Sequence, residues 1–179
     1  MPKPKILYEG RFIEMVAQGK WEYVRRNNSS TTIAILALTQ DDELLFVEQM
    51  RLPVGGPVIE LPAGLVGDDG DATEQPIVAA IRELEEETGY TTEKIIELGT
   101  FCSSAGLTNE QTIIFLAIDC HQVSAGGGVA GESIQIHKIP RKKAASWLLD
   151  RVKLGELMDG KVWTALALAQ RRRWKVPVK

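Results

Sequence analysis

Arg82-Glu83-Leu84-Glu85-Glu86-Glu87-Thr88-Gly89 is the stretch on which the reading of this chain turns. At 100° per residue, Glu83 and Glu87 lie ~40° apart around a helix axis and Glu86 lies ~60° to the other side, so three carboxylates share one face while Glu85 looks away. Like charges at i,i+4 cost a helix about 0.2–0.5 kcal/mol per pair, and acids near the C-terminal end oppose the helix dipole. A solvated acidic surface is the ordinary account of such a run. Three features point elsewhere: the opposite side of the helix is apolar, Arg82 stands one turn before Glu86 and can orient it, and a loop rich in Gly and Pro comes just before. Hard divalent ions take oxygen ligands and keep waters or phosphate oxygens beside one or two carboxylates, so the cluster suits Mg²⁺, with Mn²⁺ as the alternative.

Outward from the cluster, Ile77, Ile81, Leu84 and Thr88 recur at helical spacing with Ala80 in the same stripe, which predicts a helix from Thr73 to Thr88. Thr73 is the expected N-cap, Pro76 fits the first turn, and Gly89 is a natural C′ residue. The loop before it, Pro53 to Gly70, carries prolines at 53, 57 and 62 and glycines at 55, 56, 64, 67 and 70, and is long enough to be functional. Segments 5–14, 20–26, 31–38 and 43–50 read as strands divided by turn residues, and strands return at 95–101, 111–119 and 133–139. Trp21 and Tyr23 alternate on one strand and so share a face. Helices are expected at 141–152 and 158–173, with the basic groups 141–143 and 171–173 as solvated helix ends. Strands on both sides of a central helix, followed by more helices, make a layered α/β domain.

Composition bounds the function. The 179 residues suffice for one domain with its own core, and a net charge of −3 with a pI near 5.5 argues against general nucleic-acid binding. No uninterrupted apolar stretch, Ile33–Leu38 included, approaches the ~20 residues that span a bilayer. The first ten residues lack an apolar h-region and a cleavage site, so no membrane association and a cytoplasmic location are expected. Cys102, Cys120, His121 and His137 stand in no ligand or nucleophile pattern and receive no role.

Gly64, Glu74 and Arg82-Glu83-Leu84-Glu85-Glu86-Glu87-Thr88-Gly89-Tyr90 resemble the Nudix box, G-x5-E-x7-R-E-U-x-E-E-x-G-U with U apolar. The second half matches at every fixed position. In the first half nine residues separate Gly64 from Glu74 where the pattern has five, which reads as a four-residue insertion near Asp68 to Asp71. Glu48-Gln49-Met50-Arg51, Glu60-Leu61-Pro62-Ala63-Gly64 and Ser103-Ser104-Ala105-Gly106-Leu107-Thr108-Asn109-Glu110 are similar to the E-Q-x-R, E-L-P-A-G and S-P-G-x-x-x-E patterns of the ADP-ribose and nucleotide-sugar pyrophosphatase branch, with Ala105 in place of the proline.

The resemblance implies an α/β/α sandwich with a mixed sheet and an N-terminal antiparallel β extension, divided as an arm over 1–28 and a Nudix domain over 29–179. It implies metal-dependent hydrolysis of a nucleoside diphosphate sugar to a nucleoside monophosphate and a sugar phosphate. Glu83, Glu87 and the Ala63 carbonyl are the implied metal ligands, with Glu86 as a further ligand or water-orienting group, Arg82 as the residue that holds the carboxylates, and Glu74 as their support. Glu132, on the loop from His121 that contains Gly126-Gly127-Gly128, is the expected base, with that glycine tract giving the loop mobility; Glu110 is the alternative. Arg51 and Glu60 are candidate substrate contacts, Arg51 toward phosphate or else as a surface ion pair. Trp21 and Tyr23 stack a purine or else pack in the core. Similar enzymes pair as homodimers through their N-terminal strands. Two other readings stay open: a hydrolase of nucleoside triphosphates or dinucleotide polyphosphates, and a regulatory module that binds a nucleotide sugar without cleaving it.

Overall fold

The computed structural model describes residues 2–27, 31–67, 70–71, 73–129, 131 and 133–175. The strand-like run 5–14 is two strands, β1 (Lys5–Glu9) and β2 (Ile13–Gln18), because the Gly10 N–H donates to the Ile13 carbonyl at 2.8 Å and turns the chain between them. With β3 (Trp21–Arg26) they form a small antiparallel sheet in the order β1-β2-β3.

A larger mixed sheet follows. Its strands are β4 (Thr31–Thr39), β5 (Glu43–Arg51), β6 (Gly56–Glu60), β7 (Ala63–Leu65), β8 (Tyr90–Thr91), β9 (Lys94–Cys102), β10 (Gln111–Gln122), β11 (Gln135–Pro140) and β12 (Leu157–Met158). The helices are α1 (Pro76–Thr88), α2 (Arg141–Lys153) and α3 (Gly160–Arg171). β4 runs parallel to β10, and β6 parallel to β12; the other pairings are antiparallel.

Strand alternation sorts the core into two layers. On β4, Ile33, Ile35 and Ala37 pack with Leu45, Phe115 and Ala117 under Ala79, Ala80 and Leu84 of α1. Ala34 and Leu36 face the other way and pack with Phe46, Ile114 and Leu116 against Ala144 and Leu148 of α2 and Val162, Ala165 and Ala169 of α3. A sheet apolar on both faces with helices on each is the expected α/β/α sandwich, and each fully buried Leu or Ile contributes about 1.5–3 kcal/mol to it.

Helix α1 begins three residues later than its periodicity predicts. Pro76 takes the first helical position behind an extended Gln75, while the Thr73 N–H and Oγ1 both donate to Asp71 Oδ1 in a turn ahead of the helix. Ile77 therefore lies in the first turn, 43% exposed, outside the buried stripe of Ala79, Ala80, Leu84, Glu87 and Thr88. The late helix expected over 158–173 starts at Gly160, with Asp159 as N-cap and Leu157–Met158 as a strand. Among the described residues no helix is long and apolar enough to cross a membrane.

Candidate active site

The sheet opens where β4 and β5 part. The two strands pair only at Ala37–Leu45 and Leu38–Leu44; beyond that β6 takes the free edge of β5 and β7 takes that of β4. Leu61 and Pro62 carry the chain from β6 to β7, with the Pro62 carbonyl accepting from the Ile35 N–H at 2.8 Å, which sets Ala63 and Gly64 beside α1. A cleft of about 850 Å³ lies there, lined among others by Ala63, Gly64, Glu83 and Glu87, by Arg51 and Glu60, and by Glu110.

Glu87 is buried on the sheet side of α1, and its Oε2 accepts from the Ala63 N–H at 3.1 Å. Glu83 fits because Gly64 has no side chain: a Cβ on Gly64 would stand 2.0 Å from Glu83 Oε1. The guanidinium of Arg82 gathers the remaining acids. Its Nε donates to Glu74 Oε1 at 3.0 Å, and its terminal nitrogens reach Glu83 Oε1 at 2.9 Å, Glu86 Oε2 at 3.1 Å, Glu74 Oε2 at 3.2 Å and the Leu65 carbonyl at 3.3 Å. The hydrogen bond from Arg82 holds the Glu74 carboxyl below the usual carboxylate range, and the same bond raises the Arg82 pKa above its ordinary value.

Arg51 and Glu60 form a bidentate pair at 2.7 and 2.8 Å in the same cleft, and this hydrogen bonding outweighs burial to raise the Arg51 pKa. Glu110 lies in the cleft bonded to Arg26, whose Nε donates to its Oε2 at 2.8 Å. Glu132 lies outside the described residues.

Glu86 shares one terminal nitrogen of Arg82 with Glu83, the two bonds being 3.1 and 2.9 Å. Together with Arg82 it lines a neighbouring hollow between α1 and the loop of Ser124 to Val129. Trp21 and Tyr23 line a third hollow, with Gln18 to Lys20 on one side and Ala105, Gly106, Thr108 and Asn109 on the other. They do share a face, but Trp21 is 64% exposed and therefore no core residue. Cys120 is buried, and that burial pushes its thiol up to about 12, so it is inert at neutral pH.

The glycine tract expected to give a loop its mobility instead caps α1. Gly127 and Gly128 N–H groups donate to the carbonyls of Glu87 and Glu86, each at 2.9 Å. A Cβ on Gly126 would lie 2.3 Å from the backbone carbon of Thr88, so the close approach of the two segments requires glycine. The orphan carbonyls at the end of α1 are thereby satisfied beside the carboxylates they carry.

Sequence reasoning did not find Arg26, Asp159 or Lys161, which also line the cleft. Asp159 caps α3 by accepting from the Lys161 N–H at 2.7 Å and holds Lys161 Nζ at 2.5 Å. An Asp two residues before a Lys at a helix start is a readable local signal; Arg26 has none, since its partner is 84 residues away.

The donor set suits a hard cation: Glu83 and Glu87 offer carboxylate oxygens to one cleft, and the missing Cβ of Gly64 makes room for the first of them. Among the described residues no three acidic, imidazole or thiol side chains converge closely enough to hold an ion as they stand; Arg82 engages Glu83 and Glu86.

Comparison with known proteins agrees with this geometry. A family profile described as the NUDIX domain matches residues 29–136. The ADP-ribose pyrophosphatase of Bacillus subtilis (strain 168) is 39% identical over 85 residues, an alignment that spans about half of each chain, 48% of this one and 44% of that one. The GDP-mannose pyrophosphatase of Enterobacter sp. (strain 638) is 30% identical over 163 residues, 87% of this chain and 80% of the relative. A crystal structure of an ADP compounds hydrolase superposes with a TM-score of 0.73 at 22% identity, covering 96% of this chain and 91% of its own, which shows a common fold. Hydrolases of this kind use divalent metal ions, in keeping with the oxygen donors of the cleft. The matched domain contains the cleft's α1 carboxylates, and by that match and the long alignment the chain belongs to the Nudix family.

Proposed function

We propose that the chain hydrolyses the diphosphate bond of nucleoside diphosphate sugars, ADP-ribose and ADP- or GDP-sugars among them, to a nucleoside monophosphate and a sugar phosphate. The observation that carries this reading is the meeting of Glu83 and Glu87 with the Arg51–Glu60 pair in one cleft. Carboxylates that hold divalent ions and a guanidinium that grips phosphate are the two requirements of phosphoryl transfer. The two pyrophosphatase relatives, one named for ADP-ribose and one for GDP-mannose, support the substrate class.

Mg²⁺, with Mn²⁺ as a substitute, would be held by Glu83, Glu87, Glu86 and the Ala63 carbonyl, and would supply charge neutralisation and a water of lowered pKa. Arg82 keeps the α1 carboxylates in place through its bonds to Glu83 and Glu86, and Glu74 steadies Arg82. Arg51, fixed by Glu60, orients the diphosphate. Glu132 takes the proton of the attacking water, and Trp21 and Tyr23 stack the base.

The same proposal includes a cytoplasmic homodimer paired through the arm of residues 1–28. The arm exposes Ile6, Leu7, Tyr8, Phe12, Ile13 and Trp21, a density of apolar surface that a second copy would cover. Sedimentation should give about twice 19.7 kDa, and a mass near 20 kDa rejects the dimer.

The test is release of AMP or GMP from ADP-ribose, ADP-glucose and GDP-mannose, with ATP and a dinucleotide polyphosphate as comparators, each with and without Mg²⁺. Metal-dependent release from a nucleotide sugar is expected. Preference for ATP or the dinucleotide moves the chain to another substrate class, and binding without turnover makes it a regulatory module.

A further inference from the structure

The cleft has two unlike walls. Glu83 and Glu87 stand on the α1 side, and the opposing wall is one face of β5, β6 and β12. Strand alternation sends Gln49 and Arg51 of β5 to that face, since side chains two apart share a side. Register sets Val58 of β6 opposite Gln49, and Leu157 of β12 beside Val58. Gln49, Val58 and Leu157 therefore form one row across three strands, about 10 Å from end to end at the usual strand spacing. All three line the cleft. The next row on this face sets Arg51 opposite Gly56. A Cβ on Gly56 would meet nothing within 4 Å, so the space beside the row is open.

The cations of this wall are already engaged, Arg51 by Glu60 and Lys161 by Asp159. Gln49 differs: it is half-buried, and among the described residues no hydrogen bond engages its amide. A leucine here would pack with Val58 and Leu157, so glutamine forgoes apolar burial and gains no internal bond. An amide carries two N–H donors and a carbonyl acceptor, and each sugar hydroxyl both donates and accepts. Neighbouring hydroxyls therefore meet one amide at two points, while the C–H side of the ring packs on valine and leucine. A phosphate, which only accepts, uses half of that capacity.

We propose that Gln49 is a specificity-determining residue: its amide binds neighbouring hydroxyls of the sugar that the diphosphate carries, and Val58 and Leu157 pack against the sugar ring. This rests on the reading of the cleft as a nucleoside diphosphate sugar site. Gln49 takes no part in bond cleavage; it selects the group beyond the diphosphate. The wall favours a polyhydroxyl ring there over an alkyl group, because an alkyl group leaves the amide without a partner.

The experiment compares ADP-glucose, GDP-glucose and the β-methyl ester of ADP, which keeps the diphosphate diester and lacks the sugar. kcat and KM are measured with Mg²⁺, and affinity by calorimetry on the same ligands wherever turnover is absent. Gln49→Leu and Gln49→Ala should each lower kcat/KM for both nucleotide sugars by about 10-fold, the scale of two neutral hydrogen bonds, mainly through KM. The methyl ester should stay within about twofold of wild type. Gln49→Leu should keep or raise the wild-type Tm, which separates binding from folding. Equal losses on the sugars and the ester, or unchanged KM for both sugars, would overturn the proposal and leave hydrolysis in place. A loss on ADP-glucose without one on GDP-glucose would set the base against Gln49 and overturn it too. Absence of turnover in wild type, with the sugar-specific loss of affinity intact, rejects the hydrolase reading and leaves the Gln49 assignment standing, whereas no binding of either nucleotide sugar by wild type overturns it.

Discussion

Glu74 and Arg82 meet in a two-point ion pair, Nε to Oε1 at 3.0 Å and a terminal nitrogen to Oε2 at 3.2 Å, although Gly64 and Glu74 are four residues further apart than the box pattern has them. The Gly67 N–H also donates to Glu74 Oε2 at 2.7 Å. Residues 67 and 74 thus close the neck of a loop, and the added length lies beyond that neck. The box is kept in space because its acid is returned to the arginine, whatever the path between.

That pair makes a pH-dependent prediction. The hydrogen bond from Arg82 lowers the folded-state pKa of Glu74 below its ordinary value, so the stabilisation is complete above the unfolded pKa and is lost as pH falls through the folded one. Glu74→Gln should cost about 1–3 kcal/mol at pH 7, the usual cost of a broken charged hydrogen bond. In urea titrations from pH 7 to pH 3 the gap between variant and wild type should close below about pH 4.5. A gap that stays constant over that range contradicts the account.

Gly64→Ala tests the seat of Glu83. The new Cβ would lie 2.0 Å from Glu83 Oε1 and 2.6 Å from its Cγ, so the whole carboxylate arm must leave. Because the obstruction is a side chain on a helix surface, the fold can yield while the site cannot. We expect kcat/KM to fall at least about 10²-fold, a displaced ligand being worth several kcal/mol, with a Tm shift of only a few degrees. Unchanged activity would remove Glu83 from the ligand set.

Glu87→Gln separates charge from shape at the most buried acid of the cleft. Gln keeps an oxygen for the Ala63 N–H, so folding stability should match wild type or rise slightly as like charges on α1 are relieved. Hydrolysis should fall by about 10² or more, since the variant lacks the anionic oxygen. Near-normal turnover would defeat the metal assignment.

The parts of this molecule legible in the sequence are those set by local spacing. The period of Ala80, Leu84 and Thr88 foretells α1, and Glu83 and Glu87, one turn apart, do reach one cleft. Glu86, on the same face by spacing, meets Glu83 on one terminal nitrogen of Arg82 and also lines the next hollow. Ile77 fits the period and is nevertheless 43% exposed, in the first turn that Pro76 opens. The alternation of Trp21 and Tyr23 is readable, whereas the surface they face depends on where β3 docks, through bonds to residues 107–109 far along the chain. Arg26 and Glu110 belong to the same class: no local pattern joins positions 84 residues apart.

Gly126 offers the sharpest test of how α1 is held. Its φ of +65° costs a residue with a side chain about 1–2 kcal/mol, and an added Cβ would lie 2.3 Å from the Thr88 carbonyl carbon and 2.5 Å from the Gly89 nitrogen. Both obstacles are backbone, so the loop must lift off and carry with it the Gly127 and Gly128 N–H groups that cap Glu87 and Glu86. Gly127→Ala is the control: its φ is +103°, but nothing lies within 4 Å of the new carbon, so it bears strain without collision. Gly126→Ala should lose about 3 kcal/mol or more in chemical denaturation, with strain and uncapped carbonyls adding, and Gly127→Ala about 1–2. Since the released carbonyls belong to residues whose carboxylates form the site, activity should fall together with stability in Gly126→Ala, whereas Glu87→Gln loses activity alone. Equal denaturation midpoints for the two glycine variants would show that the loop does not brace the helix.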